Sequence, residues 1–246
     1  MYQFDSPEDS LWEATPGNRS AISNKLSGEK ISDIAIIGGG YTGLSTAYHL
    51  AKKYNISSSV IDAGHIGWGA SGRNGGFCSM GGSAESLDTL IKKYGLEDVK
   101  KYYQCQIEAI ELVRKIIIGE DIDIKIQGKA EIEVARSSRD HEVLANYAQF
   151  RQDVLGLKTK TISRTDFAEN YFDSTEQFGA ISVEPTFGIH PLRYAIGLAD
   201  AASKMGVKLY TNSEILSWSK TSKGHILKTS QGSILAKNVV FATNGF

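Results

Sequence analysis

The sequence predicts an α/β chain: a layer of parallel strands and helices, interrupted by an insertion of helices and antiparallel strands. Three observations predict it. A short apolar, β-rich run, Ile31–Ile37, ends in glycines and is followed at once by a helix-period stripe. Further apolar strands, Ser58–Ile61, Val207–Tyr210 and Val239–Ala242, recur between helical stretches. Between them, residues 121–135 alternate (Ile122, Ile124, Ile126, then Ile132 and Val134), the period of half-buried strands.

The elements follow in order. Residues 1–30 read as a leader whose Ser10-Leu11-Trp12 packs on the body. After strand Ile31–Ile37, a helix from Gly43 carries Leu44, Ala47, Tyr48 and Ala51 on one stripe. Strand Ser58–Ile61 is closed by Asp62. Residues 64–82 are too glycine-dense for regular structure and read as a loop. Leu87, Leu90, Ile91 and Tyr94 mark a helix that Gly95 breaks; Tyr103, Ile107, Ile110 and Ile117 mark a longer one. Residues 121–135 give one or two strands, 141–155 a helix and 178–183 a strand. Pro191 fits the first turn of a helix with Leu192, Ala195, Ile196 and Ala199 on one face, and Gly206 stops it. Strand Val207–Tyr210, a meander over 215–219, 226–229 and 233–235, and a last buried strand Val239–Ala242 complete the chain. The segments divide into the leader, 31–119 and 188–246 as one layer, and 120–187 as the insertion.

Composition excludes several classes of function. The 246 residues are 41% hydrophobic and 22% charged, which is globular and long enough for a core. A formal net charge of −1 excludes the basic footprint of a nucleic-acid binder and a polybasic membrane-surface protein. Cys78 and Cys105 form neither a disulfide framework nor a Cys-x-x-Cys site, so a reducing, cytoplasmic compartment is expected. The N-terminus is polar, without a signal peptide's basic start and apolar stretch. No apolar run approaches the roughly 20 residues that cross a bilayer. The expected partner is a small molecule, with neither nucleic acid nor membrane; the oligomeric state is not indicated.

The strongest chemical signal is Gly38-Gly39-Gly40-Tyr41-Thr42-Gly43, a Gly-x-Gly-x-x-Gly run. Alone the pattern is weak. Here a strand precedes it, an amphipathic helix follows, and Asp62 closes the next strand. Gly38 allows the tight turn, Gly40 lets a pyrophosphate approach the backbone, and Gly43 lets helix and strand pack closely. The helix N-terminus offers amides and partial positive charge to phosphates, and Asp62 can accept from ribose hydroxyls. A nucleotide-hydrolase phosphate loop fails because Leu44 stands where its lysine must be. No Gly-x-Ser-x-Gly nucleophile occurs. The histidines (49, 65, 141, 190, 225) lack metal-ligand spacing, and His190 reads as a turn residue before Pro191.

The second signal is Gly67-Trp68-Gly69-Ala70-Ser71-Gly72-Arg73-Asn74-Gly75-Gly76. A plain nicotinamide site does not need this loop; a longer cofactor running into the protein does. Gly69, Ala70 and Gly72 permit close backbone approach, and Ser71, Arg73 and Asn74 bring donors.

These motifs, with Ile34–Ser45, Gly188-Ile189-His190-Pro191, Ala242-Thr243-Asn244-Gly245 and the leader, resemble the FAD-dependent amine and amino-acid oxidases of the D-amino-acid oxidase/glycine oxidase superfamily, most nearly the γ-glutamylputrescine-oxidase-like branch. The resemblance covers essentially the whole chain. It implies a Rossmann-like FAD-binding layer with an inserted α+β substrate domain. It implies that Gly38, Gly40, Tyr41, Thr42 and Gly43 hold the FAD diphosphate and that Asp62 binds the adenosine ribose. Ala70, Ser71, Arg73, Asn74, Gly75 and Gly76 would run along the ribityl chain toward the flavin. The backbone at Ile215 would meet the adenine, and Thr243, Asn244 and Gly245 would lie near the cofactor. The implied reaction oxidises the C–N bond of an amine or amino acid by hydride transfer to flavin, followed by imine hydrolysis. No catalytic base is implied; Arg73 is the candidate polar group near the ring. Family members continue well past Ala242-Thr243-Asn244-Gly245, so the chain resembles an N-terminal portion with the C-terminal part missing. On that reading it does not turn over an amine alone, and a sheet that continues in the full protein is left with an uncovered edge. Two rival readings are a non-catalytic FAD- or nucleotide-binding module and an NAD-dependent dehydrogenase, the latter opposed by the Gly67–Gly76 loop.

Overall fold

The computed structural model describes residues 4, 9–17 and 24–245; the rest of the leader and Phe246 lie outside the described residues. Ser10 caps the short helix α1 (Leu11–Ala14), its Oγ accepting from the Glu13 amide at 3.2 Å. Strand β1 (Gly28–Ile37) starts earlier than its apolar run. Helix α2 (Tyr41–Tyr54) buries Gly43, Leu44, Ala47 and Tyr48, the expected stripe, and β2 (Ser58–Ile61) is buried throughout. The 64–82 loop contains two small elements that its glycines concealed: a 3-10 turn at Ala70–Gly72 and strand β3 (Phe77–Cys78). Helix α3 (Leu87–Tyr94) stops at Gly95, whose φ of 82° suits glycine, and α4 (Leu96–Gly119) follows.

After α4 come β4 (Glu131–Val134), α5 (Ser138–Leu155), β5 (Lys158–Ile162), α6 (Arg164–Asn170), β6 (Ala180–Glu184) and β7 (Phe187–Gly188). The alternation over 121–135 yields strand only at β4. Ile122 instead fills the space beside Gly197, and Gln127 makes an isolated bridge to Gly188. Helix α7 (Pro191–Lys204) has His190 as its cap, with Nδ1 accepting from the Arg193 amide at 3.2 Å, so His190 is the turn residue expected. Strands β8 (Lys208–Tyr210), β9 (Ser217–Thr221), β10 (Gly224–Lys228) and β11 (Gly232–Phe241) close the order. The expected strands 233–235 and 239–242 are one strand, β11. Across the polar Lys237-Asn238 step, Lys237 Nζ reaches Asp33 Oδ1 on β1 at 2.6 Å and the ladder continues.

Two compact units emerge. The first comprises Met1–Gly76, Ile116–Ile124 and His190–Phe246; the second comprises Phe77–Lys115 and Lys125–Ile189. This differs from the expected division: α3 and α4 up to Lys115 group with the insertion and not with the 31–119 layer.

The first unit is built on a six-stranded sheet ordered β8-β2-β1-β11-β10-β9. The pairs β8–β2, β2–β1 and β1–β11 are parallel, while β10 and β9 add antiparallel strands. The α/β class expected from the sequence holds. Strand β11 lies between β1 and β10, so the edges of the sheet are β8 and β9. Leu26, Ala35, Ile61, Leu227, Ile234 and Ala236 form one core cluster. Tyr48 Oη on α2 donates to Glu120 Oε1 at 2.5 Å, which also receives Lys52 Nζ.

The second unit contains a three-stranded antiparallel sheet, β4-β6-β5, and a two-stranded pair, β3-β7. Ala135, Leu144, Ala148, Leu157, Ile181 and Val183 form its main cluster. Among the described residues, no helix is long and apolar enough to cross a membrane.

Candidate dinucleotide site

Register brings the ends of three parallel strands together. Ile37 of β1 stands beside Ile61 of β2 and Phe241 of β11, and all three line one cleft of about 1050 Å³. That lies at the upper end of small-molecule sites, about 300–1,000 Å³, and sits where open parallel sheets bind ligands, beyond the carboxyl ends of their strands. Every residue lining the cleft belongs to the first unit.

The glycine run forms its floor. Gly38 has φ 114°, and a Cβ there would collide with the Ala242 carbonyl. Its amide donates to Ile61 O at 2.8 Å, and Ala242 N donates to Ile37 O at 2.8 Å, which pins the turn against both neighbouring strands. Gly43 packs against the Gly38 carbonyl; it serves the helix–strand contact and does not line the cleft. Gly40 caps α2 without a side-chain hydrogen bond, and the first turn carries no acidic residue. The partial positive end of the helix is therefore not neutralised from within, as an anion site requires. Gly40, Tyr41 and Thr42 all line the cleft.

Asp62 also lines the cleft. Its Oδ2 accepts from the Gly39 amide at 2.5 Å and its Oδ1 from the Gly64 amide at 2.8 Å. Burial pushes its carboxyl above the usual range, while these two amides pull it back. A carboxylate offers about four acceptor sites, so room for ribose hydroxyls remains. The chain after β8 is tied to the same place: Asn212 N donates to Gly64 O at 2.8 Å and Ser213 N to Asp62 O at 2.9 Å. This puts Ile215 in the cleft wall, in irregular chain just before β9 and not within a strand as expected.

The Gly67–Gly76 loop divides into two roles. Gly69, Ala70 and Ser71 line the cleft, and Ser71 Oγ accepts from the Tyr41 amide at 3.0 Å. Gly72 is not open to a ligand: a Cβ there would meet the Gly67 carbonyl and Leu192. Asn74 spends its donors inside the loop, on Ala70 O and Ser71 O at 3.1 Å each, and its Oδ1 accepts from the Gly76 amide. The Arg73 guanidinium lies 4.3 Å from the Trp68 ring centroid. Arg73, Asn74, Gly75, Gly76 and Gly245 are outside the cleft lining, whereas Thr243 and Asn244 are in it. Sequence reasoning missed Phe4, Ser213, Glu214 and Phe241 as lining residues. Phe241 was recoverable from strand pairing with Ile37; Phe4 carried no signal.

The donor set fits a dinucleotide such as FAD: a glycine cradle that a Cβ would fill, an acid-free helix N-terminus and a buried carboxylate in one cleft. Among the described residues, no group of three or more His, Cys, Asp or Glu could hold a metal ion.

Residues 33–246 match the FAD dependent oxidoreductase family, DAO. The γ-glutamylputrescine oxidoreductase of Escherichia coli strain K12 is 30% identical over 241 residues, covering 96% of this chain and 54% of that protein. The crystal structure of glycine oxidase from Geobacillus kaustophilus superposes with a TM-score of 0.65 at 24% identity, over 87% of this chain and 55% of that one. L-amino acid deaminase from Proteus myxofaciens gives a TM-score of 0.67 at 20% identity, over 97% and 49%. These two structures show the shared fold. The chain spans about half the length of the curated relatives it matches. With its glycine cradle, Asp62 and Ser71 loop set in that fold, the chain belongs to the DAO family of FAD-dependent oxidoreductases.

Proposed function

We propose that the first unit binds the ADP part of FAD in its cleft and serves an oxidoreductase that removes hydride from the C–N unit of an amine or amino acid. The observation that carries this reading is the meeting of the α2 N-terminus, Asp62 and Ser71 in one cleft. On this reading Gly40, Tyr41 and Thr42 hold the diphosphate, Asp62 the ribose, and the backbone near Ile215 the adenine. Gly69, Ala70 and Ser71 lead the chain of the cofactor away from the phosphates, with Arg73 to Gly76 continuing toward the ring and Thr243 to Gly245 beside it. Bound flavin supplies the two-electron acceptor for the hydride. The second unit would contribute part of the substrate domain. Amine or amino-acid substrates are supported by the names of relatives, γ-glutamylputrescine oxidoreductase and glycine oxidase. Free thiols at Cys78 and Cys105 suit a cytoplasmic setting.

Titration of the apo-chain with FAD and separately with NAD⁺ tests the reading. Saturable FAD uptake with a visible flavin spectrum is expected, and no NAD⁺ uptake; the reverse pattern overturns it. Anaerobic mixing of the loaded protein with primary and secondary amines and amino acids then tests the donor class through loss of flavin absorbance. A cleft lined wholly by the first unit favours a second reading, a bare FAD-binding module, and a yellow protein that no amine bleaches would establish that one.

Asp62→Ala is expected to act twice. Lost ribose hydrogen bonds, worth about 1–3 kcal/mol, raise the FAD dissociation constant by about 5- to 150-fold. The Gly39 and Gly64 amides also lose their acceptor, so the melting temperature of the apo-chain falls by several degrees, at about 2–4 °C per kcal/mol. An unchanged dissociation constant would remove Asp62 from the site.

A further inference from the structure

The leader motif is a sequence signal that the dinucleotide site does not absorb. Its described residues are fixed to the first unit by several separate contacts. Trp12 meets the His190 ring edge-on, with centroids 4.9 Å apart. Thr15 Oγ1 lies 3.1 Å from His190 Nε2, and the Thr15 carbonyl accepts from Arg193 Nε at 3.0 Å. Glu13 Oε1 lies 3.2 Å from His65 Nε2, with only 8% of the Glu13 side chain exposed. Because His190 Nδ1 accepts from the Arg193 amide, its proton is on Nε2, which donates to Thr15 Oγ1; that hydroxyl in turn donates to Leu11 O at 2.7 Å. The hydrogen-bond chain fixes the helix end in one orientation.

The anchors do not line the cleft, but each adjoins chain that does. His65 sits in the loop between Asp62 and Trp68, both of which line it. His190 opens α7, and the first turn of α7 braces the cofactor loop. Leu192 Cδ1 lies 2.9 Å from where a Cβ on Gly67 would stand and 3.0 Å from one on Gly72, and Pro191 O accepts from Tyr41 Oη at 2.9 Å. Phe4, earlier in the leader, lines the cleft itself with its ring 4.7 Å from Trp68.

We propose that residues 10–15 form a strap on the cofactor site, in which Trp12 and Glu13 are positioning residues that hold the FAD loop through His190 and His65. The proposal rests on the FAD reading of the cleft. Coupling is reciprocal: if docking of the strap tightens FAD binding, FAD must tighten the docking. A role confined to folding would slow exchange here only as much as global stabilisation slows it elsewhere in the first unit.

The experiment compares Trp12→Ala, Trp12→Phe and Glu13→Gln in the 246-residue chain. Apo-protein is titrated with FAD, and amide exchange of residues 10–17 is followed with and without it. Trp12→Ala is expected to raise the FAD dissociation constant about tenfold, equivalent to about 1.4 kcal/mol. Trp12→Phe keeps a ring against His190 and restores binding to within about twofold. Glu13→Gln, which conserves size, weakens binding severalfold and covers the case in which Trp12→Ala does not fold. FAD slows exchange at Ala14 and Thr15 in the unaltered chain. Unchanged dissociation constants in both Trp12→Ala and Glu13→Gln, or leader exchange indifferent to FAD, overturn the proposal. Gly40→Val, run alongside, separates the two layers. If it still binds FAD, the cleft reading falls and the strap with it; if it does not, a negative result for the leader variants counts against the strap alone.

Discussion

Gly40→Val is expected to leave the chain without FAD while leaving its fold in place. Gly40 caps α2 and lines the cleft. A Cβ at this position would stand 2.9 Å from Ser71 Oγ, and valine adds two methyl groups to that atom. Ser71 cannot withdraw freely, because its Oγ accepts from the Tyr41 amide at 3.0 Å. The branch therefore either pushes the 3-10 turn outward or occupies the diphosphate position, and each outcome removes amides that the phosphates need. An overpacked contact costs about 1–3 kcal/mol. Charge-assisted hydrogen bonds to phosphate, about 1.5–3 kcal/mol each, are lost as well. The strain burdens apo and bound forms alike, so the affinity falls through the phosphate bonds: loss of two of them exceeds a hundredfold, which corresponds to about 2.7 kcal/mol. The measurement is the flavin-to-protein ratio after purification and gel filtration, with far-UV circular dichroism as the check on folding. A ratio equal to that of the unaltered chain would mean that the glycine run is not the phosphate site.

The parts of the site legible in the sequence were those with a local physical signature. Strand β2 and the buried stripe of α2 follow from apolar period alone, and Gly38, Gly40 and Asp62 from their spacing along one βαβ unit. What was not legible depended on pairing or on chain distant in sequence. Strand β5 has Ile162 as its buried residue, so Lys158–Ile162 shows no apolar period and exists by pairing with β6. Helix α6 did leave a trace, the Ser163 cap accepting from Asp166 N at 3.1 Å, but seven residues are too few for a stripe. Ile122 reads as strand because alternation cannot distinguish a ladder from a segment whose isoleucine fills a gap beside a glycine, here Gly197. The loop Gly67–Gly76 reads as cofactor-directed in the sequence, and its small residues have two causes. Gly69 and Ala70 line the cleft, whereas Gly72 makes room for Gly67 and Leu192.

The same ambiguity of glycine gives the second large effect. Gly43→Ala is expected to destabilise the first unit strongly, although alanine is the better helix former. A methyl at residue 43 would overlap the Gly38 carbonyl oxygen and stand 3.2 Å from Ile36 Cγ2. The carbonyl belongs to the turn between β1 and α2, held by the Gly38 amide on Ile61 O, so it cannot swing aside as a flexible side chain could. Helix α2 must then lift from β1, which also opens the packing of Leu44 and Ala47, both buried at 0% exposure. Alanine gains about 1 kcal/mol of helix propensity over glycine. Overpacking against backbone costs about 1–3 kcal/mol or more, and loosening the packing of two buried side chains adds to it, so the loss wins. At about 2–4 °C per kcal/mol the melting temperature should drop by roughly 4–10 °C. Gly119→Ala supplies the matched control. Gly119 is the last residue of α4, and a Cβ there meets nothing within 4 Å, so the propensity gain is unopposed and melting is expected to stay level or rise. Thermal denaturation of the two variants beside the unaltered chain decides the matter. If Gly43→Ala melts at or above the unaltered chain, the close approach of α2 to the glycine turn is not what residue 43 is there to permit.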